Sequence, residues 1–112
     1  MTHHCVAASQ EKKALDIQIL DLSGISVFAD YFVICSGSST RQVKAIAEEV
    51  EESLSKKKVE PDHIEGAAEG KWILMDYGDT VVHVFLDETR EYYRLERLWG
   101  DAPRLVPEDL LK

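Results

Sequence analysis

The chain has 112 residues, of which 45% are hydrophobic and 30% charged, a composition typical of one globular domain with a single core. No apolar run approaches the roughly 20 residues that cross a bilayer, and the N-terminus lacks the basic and apolar regions of a signal peptide, so we expect a cytoplasmic protein. The net charge of −8 falls mainly on residues 59–112, with 6 basic and 13 acidic residues; this half disfavours nucleic-acid binding and suits a basic protein partner.

The first residues of the chain indicate a flexible end. His3, His4 and Cys5 could attract a metal ion, but adjacent residues without a second ligand cluster make a poor tetrahedral site, so no metal site is predicted. Cys35 lies in an apolar run, a setting so different from that of Cys5 that we expect no disulfide. We predict a single domain over the whole chain, with about residues 1–9 and 104–112 as flexible ends.

Two strands and a helix are predicted next. Residues 16–22 alternate polar and apolar side chains, as a half-buried strand does. Residues 31–35 form a continuous apolar run, which predicts a central strand buried on both faces. After the turn at residues 36–38, Ser39 and Gln42 predict a capping box for a helix over residues 39–58. Its apolar stripe consists of Val43, Ile46, Ala47, Val50 and Leu54.

A β-hairpin is predicted over residues 72–77 and 80–86, after a connection at 59–70 that holds one short strand. Its turn is Gly78-Asp79, with glycine first as a type II′ turn prefers. One face then carries Trp72, Leu74, Asp76, Val81, His83 and Phe85, and the other carries Ile73, Met75, Tyr77, Thr80, Val82 and Val84.

A final helix is predicted over residues 88–99, with Tyr92, Leu95 and Trp99 along one side. Gly100 and Pro103 end it. The order of elements predicts an α+β fold, a single domain with one mixed β-sheet and flanking helices.

Two enzymatic readings compete with a binding function. The Ser36-Gly37-Ser38-Ser39 turn is similar to the glycine-serine turn of nucleotidyltransferases, but no Asp-x-Asp pair follows it to hold metal ions. Asp76 and His83 could form a general-base pair as diagonal neighbours on one hairpin face, yet no third group accompanies them. We therefore predict no catalytic residues and no cofactor, and keep a divergent nucleotide-binding or nucleotidyltransferase-like enzyme as the alternative.

Three segments together resemble the ribosomal silencing factor family, also called Iojap-like proteins. They are ADYFVICSGSSTRQVKAIAEEV, KWILMDYGDTVVHVF and TREYYRLERLWGDAP, in the family's order and spacing, and the resemblance covers about residues 14–103. It implies a nucleotidyltransferase-like fold without the catalytic acids. It also implies binding to the large ribosomal subunit through the ribosomal protein numbered fourteen, which would block subunit joining and repress translation under nutrient limitation.

The hairpin is the predicted docking surface for this partner. An aromatic side chain beside ionisable groups has the composition of an interface, and acids beside tryptophan would select a basic partner. We also expect that the free protein could form a homodimer through this exposed hairpin. The predicted partner-binding residues are Trp72, Leu74, Asp76, Tyr77, Gly78, Asp79, Val81 and His83.

Overall fold

A computed structural model defines the fold over residues 2–27, 29–94 and 103–105. Within these residues the chain forms three helices and six strands, and none of these helices is long and apolar enough to cross a membrane. In chain order the elements are α1 (Thr2–Glu11), β1 (Leu15–Asp21), β2 (Tyr31–Gly37), α2 (Thr40–Ser55), β3 (His63–Glu65), β4 (Trp72–Asp76), β5 (Thr80–Leu86), α3 (Asp87–Tyr93) and β6 (Arg104–Leu105).

The strands form one mixed sheet in the order β3-β4-β5-β2-β1-β6. The central pair, β2 and β5, is parallel, whereas every other neighbouring pair in this sheet is antiparallel. Val33, Ile34 and Cys35 of β2 are fully buried, which confirms the prediction of a central strand covered on both faces. The predicted α+β class with a mixed sheet and flanking helices is also confirmed.

Helices α1 and α2 pack against one face of the sheet and enclose the larger part of the core. The predicted stripe of α2 faces inward: Val43, Ile46 and Val50 are fully buried and Leu54 is 1% exposed. A smaller apolar cluster lies apart from this core and contains Leu20, Leu22, Ile34 and Phe85, with Phe32 and Trp72 packed against it.

The start of α2 follows its predicted cap, with one difference. The Ser39 hydroxyl accepts a hydrogen bond from the Gln42 backbone N–H at 3.1 Å, as an N-cap serine does. The Gln42 side chain returns to the backbone N–H of Ser38 at 2.8 Å, one residue earlier than a capping box requires. The helix ends at Ser55, so Lys57 and Lys58 lie beyond its last turn.

The predicted flexible N-terminal end is wrong for residues 2–9, which belong to α1. Cys5 and Val6 are fully buried, and the Thr2 hydroxyl lies 2.9 Å from the Thr80 hydroxyl in a buried hydrogen bond. Cys5 and Cys35 are both free and buried. Burial raises the pKa of each thiol to about 12, so neither is a reactive thiolate near neutral pH.

The C-terminal part of the chain differs from its predicted structure at two places, residues 104–105 and the end of the last helix. Residues 104–105 pair with β1 instead of forming a flexible end, and residues 106–112 lie outside the described residues. Helix α3 begins at Asp87 and ends at Tyr93, where Arg94 adopts a left-handed conformation with φ of 46°. The predicted helix therefore does not run unbroken to residue 99, and Leu95 and Trp99 of its predicted stripe lie outside the described part of the chain.

The packing of α1 gives a first prediction. Val6→Ala should lower the free energy of unfolding by about 1–3 kcal/mol, because it removes two buried methyl groups and leaves a cavity. Gln10→Ala, at an exposed position of the same helix, should change it by less than about 0.5 kcal/mol. Urea unfolding of both variants measures the difference, and equal stabilities would show that α1 is not part of the core.

Candidate docking surface

The hairpin of β4 and β5 has the predicted register. Trp72 lies opposite Phe85, Leu74 opposite His83 and Asp76 opposite Val81. Gly78 has a positive φ of 88°, the left-handed conformation expected of a glycine that opens this turn. The first strand ends at Asp76, one residue before the predicted boundary.

Four predicted residues form a half-buried row on the sheet face opposite α1 and α2. We call Trp72, Leu74, Asp76 and Val81 the hairpin row. Gly78 and Asp79 are exposed in the adjoining turn.

Two residues of the predicted site, Tyr77 and His83, are more deeply buried than the hairpin row. Tyr77 is 7% exposed and packs in the core on the helix-covered face, because side chains alternate along a strand and position 77 has the parity of Ile73 and Met75. Its burial raises its pKa. His83 lies on the face of the row but is only 3% exposed.

Trp72 is held in place by contacts on three sides. Its ring stacks on Phe85 with 4.8 Å between ring centroids and lies 4.9 Å from the ring of Tyr93. Its Nε1–H donates a hydrogen bond to Nδ1 of His83 at 3.1 Å. Gly66 approaches the Trp72 backbone so closely that a Cβ there would lie 2.0 Å from the Trp72 carbonyl oxygen. The contacts with Phe85, Tyr93 and His83 therefore set the orientation of the indole.

Asp76 and His83 lie on one face of the hairpin but do not form a general-base pair. One carboxylate oxygen of Asp76 accepts a hydrogen bond from the Gly78 backbone N–H at 2.8 Å, and the other lies 3.7 Å from Nδ1 of His63. His83 is paired with Trp72 instead. Burial lowers the pKa of His83 to about 4, so its imidazole is neutral at physiological pH.

The turn of the hairpin is tied to the centre of the sheet. The backbone carbonyl of Asp79 accepts hydrogen bonds from the N–H groups of Asp30 and Tyr31, at 2.8 and 3.0 Å. These bonds join the turn to the start of β2 and complete the parallel pairing of β2 and β5. The row and the turn therefore belong to one rigid surface.

Two concavities adjoin the hairpin row. The first, which we call the His83 recess, has a volume of about 260 Å³ and is mainly apolar. It is lined by Ser26, Ala29, Phe32, His63, Leu74, Asp76, Val81 and His83. The second, which we call the aromatic cleft, has a volume of about 550 Å³. It is lined by Gly66, Glu69, Lys71, Trp72, Glu88, Thr89, Tyr92 and Tyr93.

Several residues of these concavities were absent from the predicted site. Phe32 lies in β2 and Ala29 in the segment before it. Both reach the hairpin row because β2 pairs with β5. Phe32 and Ile34 are two positions apart in β2, so the sequence indicates that they share a sheet face. The parallel pairing with β5, which brings Phe32 beside His83, was not predicted. His63 reaches Asp76 through the pairing of β3 with β4.

The glycine-serine turn before α2 is closed by the protein's own side chains. The carbonyl oxygen of the Gln42 side chain accepts hydrogen bonds from both the N–H and the hydroxyl of Ser38, at 2.8 and 3.0 Å. The Gln42 amide nitrogen donates to the carbonyl oxygens of Lys12 and Lys13. A phosphate at this turn would have to displace these bonds, because it would need the same backbone donor.

Arg90 links helix α3 to strands β1 and β2. It is 7% exposed, and its Nη1 donates to the Asp16 carbonyl at 2.8 Å and to the Ser36 hydroxyl at 3.1 Å. Its Nη2 lies 3.5 Å from the Asp16 carboxylate. The β-bulge between Leu15 and Gln18 contains Asp16, whose φ is 46°. These bonds hold α3 at the end of the sheet.

Within the described ranges, no three His, Cys, Asp or Glu side chains are grouped so that they could hold a metal ion.

The fold and the hairpin define the structural class of the protein. It is a small α+β domain with one mixed sheet, two helices on one face and a half-buried hairpin row on the other.

Comparison with known proteins then gives the family. Residues 1–112 match the family model described as "Ribosomal silencing factor during starvation". A ribosomal silencing factor of Bacillus subtilis is 50% identical over 97 residues, which cover 87% of this chain and 82% of that protein. The chain belongs to the ribosomal silencing factor family, as its sequence predicted.

Two further matches extend this result. A crystal structure of a Chromobacterium violaceum protein superposes with a TM-score of 0.86 at 38% identity, covering 88% of this chain and 82% of that one. A mouse protein named for mitochondrial assembly of the ribosomal large subunit is 36% identical over 97 residues, which cover 84% of this chain and 42% of the mouse protein. The sequence comparisons give the family, and a solved structure that is 38% identical has the same fold.

The buried imidazole of His83 predicts a pH dependence of stability. As the pH falls from about 6.5 toward 4, the unfolded chain binds a proton at this residue and the folded chain does not. The free energy of unfolding should therefore fall over this interval by up to about 3 kcal/mol, at about 1.4 kcal/mol per pKa unit. Above pH 6.5 the imidazole is neutral in both states and contributes no slope.

Urea unfolding at pH 7, 6, 5 and 4 measures this slope. His83→Phe should lose the contribution, because phenylalanine binds no proton. His63→Gln, which changes an exposed histidine at the recess, should retain it. The carboxyl groups are common to all three proteins, so the difference between their slopes isolates His83. Equal slopes for the parent and His83→Phe would contradict a neutral buried imidazole.

Proposed function

We propose that this protein silences ribosomes by binding the large subunit through the ribosomal protein numbered fourteen. Bound there, it blocks joining of the small subunit sterically and represses translation under nutrient limitation. The observation that carries the proposal is the hairpin row, a half-buried line of Trp72, Leu74, Asp76 and Val81 on the sheet face that α1 and α2 leave uncovered. The protein acts in the cytoplasm, as a binding protein and not as an enzyme.

The row has the features of a binding surface with low ordering cost. Trp72 is a large aromatic side chain whose orientation is already fixed by His83 and Phe85, so little side-chain entropy is lost on binding. Leu74 and Val81 supply apolar area beside it. Tryptophan in a desolvated centre is the residue type that most often dominates an interface.

Charge favours a protein surface of the ribosome over its RNA. Residues 59–112, which include the hairpin, hold 13 acidic and 6 basic residues. This excess of negative charge repels phosphates and attracts the lysines and arginines of a basic ribosomal protein. Asp76 and Asp79 lie at the rim of the row, where such contacts favour the correct partner.

The name of the mouse relative supports the same subunit as partner. That protein is named for assembly of the ribosomal large subunit, and this chain spans 42% of its length. We infer that the shared domain recognises the large subunit in both proteins. In the absence of ribosomes, the apolar residues of the row also favour a homodimer that covers them.

The first test of this function is truncation of the tryptophan. Trp72→Ala should weaken binding to purified large subunits by about 2–4 kcal/mol, the effect of removing a central aromatic residue. Trp72→Phe keeps a ring to stack on Phe85 and should lose less. Titration against large subunits gives the affinities, and thermal melts of each variant show whether the fold is retained.

Charged positions provide the controls for this titration. Asp79→Asn, at the exposed turn, should weaken binding less than about fivefold, and the effect should shrink as salt rises. Glu48→Gln removes one exposed charge from α2 and should leave binding unchanged. A folded Trp72→Ala variant with parental affinity, or an equal loss with Glu48→Gln, would show that the docking surface lies elsewhere.

The second test concerns the enzymatic alternative. The donors at the glycine-serine turn are occupied by Gln42, so we expect no nucleotidyl transfer with labelled nucleoside triphosphates, magnesium or manganese and candidate acceptors. Gln42→Ala would open the turn and serves as a comparison. Reproducible transfer by the parent protein that is lost in Ser38→Ala would establish the enzyme and refute a purely binding function.

A further inference from the structure

The His83 recess is a small apolar depression beside the hairpin row. Its apolar surface comes from Phe32, Leu74 and Val81, on three positions of the same sheet face. Asp76 and His63 also line it and lie 3.7 Å apart. Its volume of about 260 Å³ is large enough for one partner side chain.

The hydrogen bond from Trp72 fixes the tautomer of His83. Trp72 Nε1–H is a donor only, so Nδ1 of His83 must be the acceptor. A neutral imidazole carries one proton, which must then lie on Nε2. The low pKa of His83, caused by burial, agrees with this neutral state.

This proton is a buried donor without an acceptor. Among the residues that the structure describes, none offers a hydrogen-bond acceptor to Nε2 of His83, and this atom is buried. Buried donors are nearly always paired because an unpaired one costs folding free energy. His83 lines the recess, whereas Trp72, which occupies Nδ1, does not, and we therefore place Nε2 on the recess side of the ring, beneath the lining surface.

We propose that the His83 recess is a binding subsite for one uncharged, oxygen-bearing side chain of the ribosomal protein partner, with His83 Nε2–H donating to that oxygen. The inference rests on the proposed function and names the chemistry of one contact within it. A carboxylate is excluded because the recess is apolar and Asp76 lies at its edge. A lysine or arginine head is excluded because it offers no acceptor. A serine, threonine, asparagine or glutamine side chain fits these conditions.

Nuclear magnetic resonance of the intact protein tests this contact directly. The chain is labelled with ¹⁵N-histidine and titrated with the isolated, unlabelled ribosomal protein numbered fourteen. In the free protein, the two ring nitrogens of His83 should show the Nε2–H tautomer. On binding, its Hε2 proton should shift downfield and exchange more slowly with water, whereas the exposed His3 serves as an unaffected reference.

The outcomes separate the subsite from the docking function. Binding with an unchanged His83 resonance would overturn the subsite and leave the proposed function standing. A complete lack of binding, by the isolated protein and by large subunits, would refute both. A shift that appears on concentrating the free protein, and not on adding the partner, would assign the recess to self-association and overturn the proposal.

A pair of variants distinguishes donation by His83 from its support of Trp72. His83→Phe keeps a flat ring but removes both nitrogens, and should weaken binding about 3- to 10-fold, as loss of one hydrogen bond does. Trp72→Phe removes the five-membered ring of the indole with its N–H and keeps a six-membered ring to stack on Phe85. If His83 acted only by holding Trp72, His83→Phe would cost nothing further in the Trp72→Phe background. The subsite predicts that the 3- to 10-fold loss persists there.

Discussion

The parallel pairing of β2 with β5 is the contact on which the rest of the structure depends. It joins seven consecutive residue pairs, from Tyr31 with Thr80 to Gly37 with Leu86. Parallel strands cannot be joined by a tight turn and need a long crossover, and α2 lies in that connection. Because α1 and α2 both pack on one face, the hairpin row on the other face stays only half-covered. The exposure of the hairpin row is therefore a consequence of how the central pair is connected.

The hairpin could be predicted well because its signals are local. A Gly-Asp turn of two residues fixes the register, and the register fixes which side chains share a face, as Trp72 opposite Phe85 shows. The same rule applies to Tyr77, which the predicted site included although the alternation of the strand places it on the face of Ile73 and Met75. In the structure that face is covered by the helices, and Tyr77 lies in the core.

Other features depend on distant partners and carried no local signal. Helix α1 buries Cys5, Val6, Ala8 and Ser9, small side chains that form no strong apolar stripe in the sequence, so its order comes from packing on α2. Arg90 appears as an ordinary surface charge of a helix. Its hydrogen-bond partners lie 74 and 54 residues away in the chain, and only the folded sheet brings them within reach.

The unpaired donor of His83 costs folding free energy, and that cost is understandable if the donor serves binding. A valine at this position would fit a buried strand without loss, whereas a neutral imidazole with one unpaired donor costs about 1–3 kcal/mol. Part of that cost is offset by the bond that orients Trp72. A partner oxygen at Nε2 would offset the remainder only in the complex, so the bound state gains what the free protein lacks. A hydrogen bond that is satisfied only on binding adds direction to an otherwise apolar contact, and a surface that lacks the matching oxygen would leave the donor unpaired.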